Sequence, residues 1–319
     1  MSYLLIIVGF VVLTLGADWL VDGASTIARR LKVSDLMIGL TVVAFGTSMP
    51  ELVVNLVAAV EGNNEIALTN ILGSNSINIF IILGLSALVC PLTSQQSLRR
   101  FELPLSVLAG VFVLLLGTDF FTGNTPTGLR RPDGLLLLAV FLLFMFQTIR
   151  TGIKTGNQEE NGPDKTEKNI WLALLLVIVG LAGLVAGGEL IVKNAVKIAR
   201  AWGVSDAVIG VTVVALGTSL PELATSVMAA FRKNVDLAIG NVVGSNIFNV
   251  FFVLGVSSVI RPLDAYPNLL TDSVMAFLGS FLVFLCVQGR KHRVERWQGV
   301  LLLSLYGIYL WLLIRGIAQ

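Results

Sequence analysis

The sequence predicts an all-α membrane protein: ten transmembrane helices arranged as two inverted five-helix repeats. Three observations carry this expectation. Of 319 residues, 55% are hydrophobic and only 13% charged, with a mean hydropathy of +0.86, where a soluble chain carries roughly a quarter charged residues. The apolar runs last about 17–25 residues, enough to cross a ~30 Å hydrocarbon core as helices, and the ~10-residue alternation of a membrane barrel is absent. Finally, one phrase occurs twice. GLTVVAFGTSMPEL at 39–52 returns as GVTVVALGTSLPEL at 210–223, and GSN follows each at 73–75 and 244–246, all at one offset of 171 residues.

Apolar runs bounded by glycine, proline and charge clusters place the spans near 3–28, 35–60, 66–89, 103–118 and 134–150, then 170–192, 206–231, 236–259, 272–288 and 298–315. The first run lacks a basic leader and a small-residue cleavage pattern, so it reads as a retained span. Five spans per half is an odd number, so the second copy must cross in the opposite sense. Alternate loops then divide the 22 lysines and arginines 15 against 7, which puts both termini outside. The organisation is a first repeat at 1–150, a cytoplasmic linker at 151–169 and a second repeat at 170–319. The linker is polar and of mixed charge, a flexible hinge too short to be a regulatory domain.

Several polar residues have plain structural readings. Ser34-Asp35 and Ser205-Asp206 precede spans two and seven as helix caps. Glu65 and Asp236 open spans three and eight, where the helix dipole favours them. Asp18 and Glu189 read as interfacial anchors, and Trp171, Trp202, Trp297 and Trp311 fit an interfacial belt. Cys90 and Cys286 have no framework spacing and read as reduced. The single histidine, His292, excludes HExxH and any multi-histidine metal site.

The chemistry concentrates in the repeated phrase. An ionisable residue at membrane depth is costly and marks a functional site by default; Glu51 and Glu222 are two such residues, each directly after a proline. Pro50 and Pro221 remove a backbone donor and disturb the preceding turn, which frees carbonyls around Ala44, Gly46 and Thr47 and around Ala215, Gly217 and Thr218. Irregular backbone at this depth is tolerated where it is buried in protein or lines a wet cavity. Helical spacing adds Ser48 and Asn55 to the face of Glu51, and Ser219 and Ser226 to that of Glu222. Ser74 and Asn78 are i, i+4 neighbours, as are Ser245 and Asn249. Two carboxylates, carbonyls, hydroxyls and amides, without sulfur or imidazole, suit a hard cation such as Ca2+ or Na+. Two carboxylates neutralise one divalent ion, and ions competing for shared glutamates are how an antiporter couples two fluxes. Glycine and serine at these spacings also serve close helix packing, which is reading enough for Gly39, Gly73 and Gly84 but not for the glutamates.

At these residues the chain resembles the sodium/calcium exchangers of the cation/calcium antiporter superfamily, prokaryotic type. The GTSxPE and GSN phrases look like that family's two alpha-repeats, and the resemblance covers essentially the whole chain. It implies a ten-helix inverted-repeat fold in which spans two, three, seven and eight form the ion-binding core and spans one and six slide across it. By motif, Glu51 and Glu222 would be the shared Ca2+/Na+ ligands, and Thr47 and Thr218 would add carbonyls. Ser48, Ser74, Ser219 and Ser245 would serve flanking Na+ sites, with carbonyls from Ala44 and Ala215. One departure stands out. Many members carry aspartate within GSNxxD in one half, whereas both halves here have asparagine, Asn78 and Asn249. The core then holds two formal negative charges, and three Na+ would leave it net positive.

The resulting expectation is a secondary antiporter in which Na+ influx drives Ca2+ extrusion by alternating access. A proton/cation exchanger is the alternative, since the glutamates could carry protons. A channel fits less well because conduction needs a continuous multi-site path, and no histidine within a span is available to an intramembrane enzyme's dyad. No cofactor is expected beyond the transported Ca2+ and Na+. The partners expected are the lipid bilayer and those ions, with no nucleic acid and no obligatory protein partner. The expected location is a prokaryotic cell membrane.

Overall fold

The computed structural model describes residues 1–117, 128–156, 169–203 and 215–317. Helix α1, Ser2–Leu31, ends on Arg29 and Arg30 and a left-handed Lys32 (φ 53°), cations placed where the helix dipole favours them. A broken pair follows: α2, Asp35–Thr47, and α3, Met49–Glu61, bent by 47°. Then come α4 (Ile66–Val89), α5 (Leu98–Gly117) and α6 (Arg131–Gly156). The second half runs α7 (Ile170–Ala201), α8 (Ala215–Thr218), α9 (Leu220–Phe231), α10 (Val235–Ile260), α11 (Leu269–Gln288) and α12 (Arg296–Ile317). Among the described residues, seven helices are long and apolar enough to cross a membrane, or eight if the bent pair is one span. The protein is a multi-pass helical membrane protein.

The helices reach further than the apolar runs. α7 continues through Lys193, Lys197 and Arg200 to Ala201, and α6 continues to Gly156 through the first residues read as linker. Charged helical turns extend past the hydrocarbon without breaking the backbone ladder, so hydropathy under-reads them. Ser205-Asp206, the start of span seven and most of the linker lie outside the described residues.

Lipid tails are as apolar as leucine, so helices in a membrane associate through close packing of small residues rather than by hydrophobic burial. α1 and α7 meet in this way. Gly9 faces Gly187, Gly16 faces Gly180, and Gly23 faces Ala173, so the two helices run antiparallel. A methyl added at Gly16 would sit 2.8 Å from the Gly180 carbonyl oxygen. α6 packs on α10 at Gly134 and Gly255, while α12 packs on α4 at Gly84 and Gly299. α4 and α10 are 78% buried over their most apolar windows, against 22–39% for the other five long spans, and so form the centre of the bundle.

Two short backbone pairings link the halves outside the helices. β1, Leu92–Thr93, pairs antiparallel with β2, Arg293–Val294, and Leu129 bridges Leu263. These two-residue pairings are too short to carry a periodic signal in the sequence.

Candidate functional site

The repeated phrase folds into the same break twice. α2 ends at Thr47, Ser48 takes φ −83°, ψ 7°, and α3 restarts with Pro50 in its first turn. In the second half α8 ends at Thr218, Ser219 takes φ −88°, ψ 6°, and α9 restarts with Pro221. A first-turn proline lacks only an N–H that would have no helical partner there, and its fixed φ favours the start. The prolines therefore begin new helices rather than distort the interior of one. Their following glutamates fall in the first turns of α3 and α9, where helix N-termini favour negative charge.

Both carboxyl groups are 0% exposed. Each is held by a serine from the other half: Ser48 Oγ donates to Glu222 Oε1 at 3.0 Å, and Ser219 Oγ donates to Glu51 Oε1 at 3.5 Å. Ser74 joins them, donating to Glu51 Oε1 at 3.2 Å and lying 3.0 Å from Ser219 Oγ. Thr218 also stands close to Glu51, as Thr47 and Ser245 do to Glu222. Thr47 donates to Asn241 Oδ1 at 3.1 Å. The backbone carbonyl of Ala44, expected free, accepts instead from Ser48 N–H at 3.0 Å, with the Thr47 hydroxyl oxygen 3.4 Å away. Ala215 opens α8.

Beneath the glutamates, α4 and α10 are stitched together by asparagines. Asn75 and Asn246 each donate to the other's backbone carbonyl at 3.2 Å. Asn78 Nδ2 donates to Asn246 Oδ1, and Asn249 Nδ2 to Asn75 Oδ1, both at 3.0 Å. π-helical turns begin here, at Asn78–Leu83 and Phe248–Leu254, and such turns occur often at functional sites.

The buried atoms without a hydrogen-bond partner in this region are chiefly oxygens. They include Glu51 Oε2, Glu222 Oε2, Asn55 Oδ1, Asn78 Oδ1, Asn249 Oδ1, Thr225 Oγ1 and Ser245 Oγ. Buried polar groups are normally satisfied, and oxygens of this kind are the donors that a hard cation takes. Among the described residues, no three His, Cys, Asp or Glu side chains converge. A cation here would be met by two carboxylates completed with neutral oxygens.

The family model described as "Sodium/calcium exchanger protein" matches residues 1–150 and 172–315. The chain belongs to the sodium/calcium exchanger family. Among exchanger relatives, it is 33% identical over 342 residues to sodium/calcium exchanger MaX1 of Methanosarcina acetivorans, covering 97% of each chain. It is 37% identical over 300 residues to an uncharacterized membrane protein of Methanocaldococcus jannaschii, covering 94% of each. A solved structure of the sodium-calcium exchanger NCX_Mj, soaked with Na+ and Ca2+, superposes with a TM-score of 0.82 at 35% identity, covering 96% of each chain.

In this exchanger-family fold, Glu51, Glu222, Ser48, Ser219, Ser74, Asn78, Asn249 and Thr47 stand in one connected buried region with Ser245. Each amide nitrogen of Asn78 and Asn249 crosslinks α4 to α10, while each amide oxygen has no partner. Asn241 went unnoticed in the sequence. Fully buried, it donates to Ser226 Oγ at 2.8 Å and to the Glu222 carbonyl at 3.4 Å while accepting from Thr47. The 171-residue offset could have found it, because Asn70 stands at the matching position. Asp18 sits well inside the long α1, where the Arg232 guanidinium reaches it and lies 3.9 Å from Asp22. Ser34 caps α2 as expected, accepting from Met37 N–H at 3.2 Å.

Proposed function

We propose that the chain is a secondary antiporter of a prokaryotic cell membrane, exchanging Na+ for Ca2+ by alternating access at one central site. The observation that carries the reading is the serine swap, in which Ser48 holds Glu222 and Ser219 holds Glu51. Neither half owns a complete site, so an ion held between Glu51 and Glu222 is shared by both. Ligands flanking the glutamates are Ser48, Ser74, Ser219, Ser245, Asn78 and Asn249, with carbonyls near Thr47, Thr218, Ala44 and Ala215.

The fold reading that goes with it is ten spans in two inverted repeats, 1–150 and 170–319, joined by a cytoplasmic linker, with both termini outside. It is supported by the antiparallel glycine contact of the corresponding helices α1 and α7. It is supported again by Leu92 and Leu263, which are 171 residues apart and each pair with the other half. In this scheme α1 and α7 move as a unit across the core of α2–α4 and α8–α10. Their glycine seam lets the two backbones approach closely, as a pair that moves together requires.

Two carboxylates are neutralised by one Ca2+ or two Na+, whereas a third Na+ would leave a buried net positive charge, which is costly. An exchange of two Na+ for one Ca2+ keeps the site neutral in both loaded states. In liposomes, an imposed Na+ gradient drives uptake of radiolabelled Ca2+, and Glu51→Gln or Glu222→Gln abolishes it; uptake retained by either variant overturns the reading. The same pair of carboxylates could take two protons, which is the specific feature favouring a proton/Ca2+ exchanger. Uptake driven by a pH gradient with Na+ absent decides for that alternative.

A further inference from the structure

Away from the central site, one more carboxylate is buried without its charge being met. Glu102 closes the π-helical turn Leu98–Glu102 at the start of α5, is 2% exposed, and has no hydrogen-bond partner for Oε2. The ion pairs among the described residues do not include it. Glu102 lines a cavity of about 10 Å³ together with Ser34, Ser97, Thr148 and Thr151. Thr148 is also 2% exposed, and its hydroxyl oxygen has no partner.

These side chains come from separate parts of the chain: the cap of α2, the residue before α5, the first turn of α5 and the last turns of α6. Helix packing alone does not call for a carboxylate among four hydroxyls. A buried carboxylate is costly unless its charge is met. The space admits the centre of one water-sized body, which excludes a hydrated ion or a large organic cation. The donors are all hard oxygens, and one negative charge matches one positive charge.

We propose that Glu102, with the hydroxyls of Ser34, Ser97, Thr148 and Thr151, forms a second site that takes a single small monovalent cation of Na+ size. Its place in the fold gives it a consequence. Ser34 caps the first turn of α2, and the other end of α2 is the Ala44–Thr47 turn beside the central glutamates. An ion drawing on Ser34 and Glu102 ties α2 to α5 and α6.

The test uses the purified chain carrying Glu51→Gln and Glu222→Gln, so the outcome does not depend on the central site. Melting is followed against NaCl, with N-methylglucamine chloride holding ionic strength constant. Na+ raises the melting temperature in this background. Adding Glu102→Gln removes the rise, and adding Thr148→Val instead shifts the half-effective Na+ concentration upward by about tenfold, the loss of one modest polar contact. Thr148→Val changes no charge and carries the test if Glu102→Gln does not fold. No Na+-specific rise in the doubly substituted background overturns the proposal, as does an unchanged rise after Glu102→Gln. A protonated-acid infrared band that Glu102→Gln removes, and that persists at saturating Na+ and neutral pH, also overturns it in favour of a buried acid.

Discussion

Replacing Asn249 by aspartate places a third carboxylate beside the two glutamates and exposes how the site balances charge. Asn249 Nδ2 donates to Asn75 Oδ1 at 3.0 Å. An aspartate oxygen in that place cannot donate, so it faces another acceptor and leaves the Asn75 oxygen unmet, costing about 1–3 kcal/mol. The new charge is also close to Glu51. Ser74 Oγ lies 3.2 Å from Glu51 Oε1 and 3.4 Å from Asn249 Nδ2, so the two head groups are at most ~7 Å apart. At an effective dielectric constant of about 20, like charges at that distance repel by roughly 2 kcal/mol. Together, Asn249→Asp destabilises the cation-free protein by about 3–5 kcal/mol. A bound cation reverses the second of these effects, and ligand at a hundred times its Kd adds about 2.7 kcal/mol to stability. Melting of the purified variant in chelator and in Ca2+ reads both. The expected result is a lower melting temperature in chelator and a larger Ca2+-induced rise than in the native chain. A variant that melts with the native protein in chelator, or gains no more from Ca2+, refutes the charge reasoning.

Three further outcomes follow from the same geometry. Ser48→Ala removes the 3.0 Å bond to Glu222, whereas Ser219→Ala leaves Glu51 its bond from Ser74; the first variant therefore loses about 1.5–3 kcal/mol and the second less, measured as melting shifts. Gly16→Leu forces α1 away from the Gly180 carbonyl and destabilises by about 1–3 kcal/mol, with transport slowed if α1 and α7 move together; unchanged melting removes the seam from the account. Arg293 and Lys291 hold the Glu295 carboxyl below its usual range. A depressed carboxyl favours the fold above its unfolded-state value and loses that effect as pH falls through the lowered one. The protection of the β1–β2 ribbon, including the Ser94 N–H bond to His292 at 2.9 Å, is then constant near neutrality and falls in acid; the protection factor of the Ser94 amide, its exchange relative to the intrinsic rate at each pH, checks it.

Much of this molecule is legible in one dimension because the membrane permits few alternatives. Backbone groups in hydrocarbon must be satisfied internally, so long apolar runs become helices. A duplicated phrase at constant offset then marks corresponding positions without any coordinates. The breaks at Ser48 and Ser219 follow from proline chemistry, and Glu51 and Glu222 declare themselves by being charged in an apolar run. The ends of α6 and α7 are harder to read, because helices continue past the hydrocarbon where hydropathy has no signal. Asn241 reads as an ordinary polar residue until α2 and α10 are packed together.

The sequence by itself determined the helical membrane class, the two carboxylates and their hard-oxygen neighbours, because each follows from residue type and local spacing. Tertiary structure alone decided which half serves which. That Ser48 bonds Glu222 rather than Glu51, and that Asn78 and Asn249 crosslink through nitrogen while their oxygens have no partner, depend on contacts between residues some 170 apart. Such contacts are set by how the helices of the two halves cross. No local pattern along one chain segment encodes that crossing.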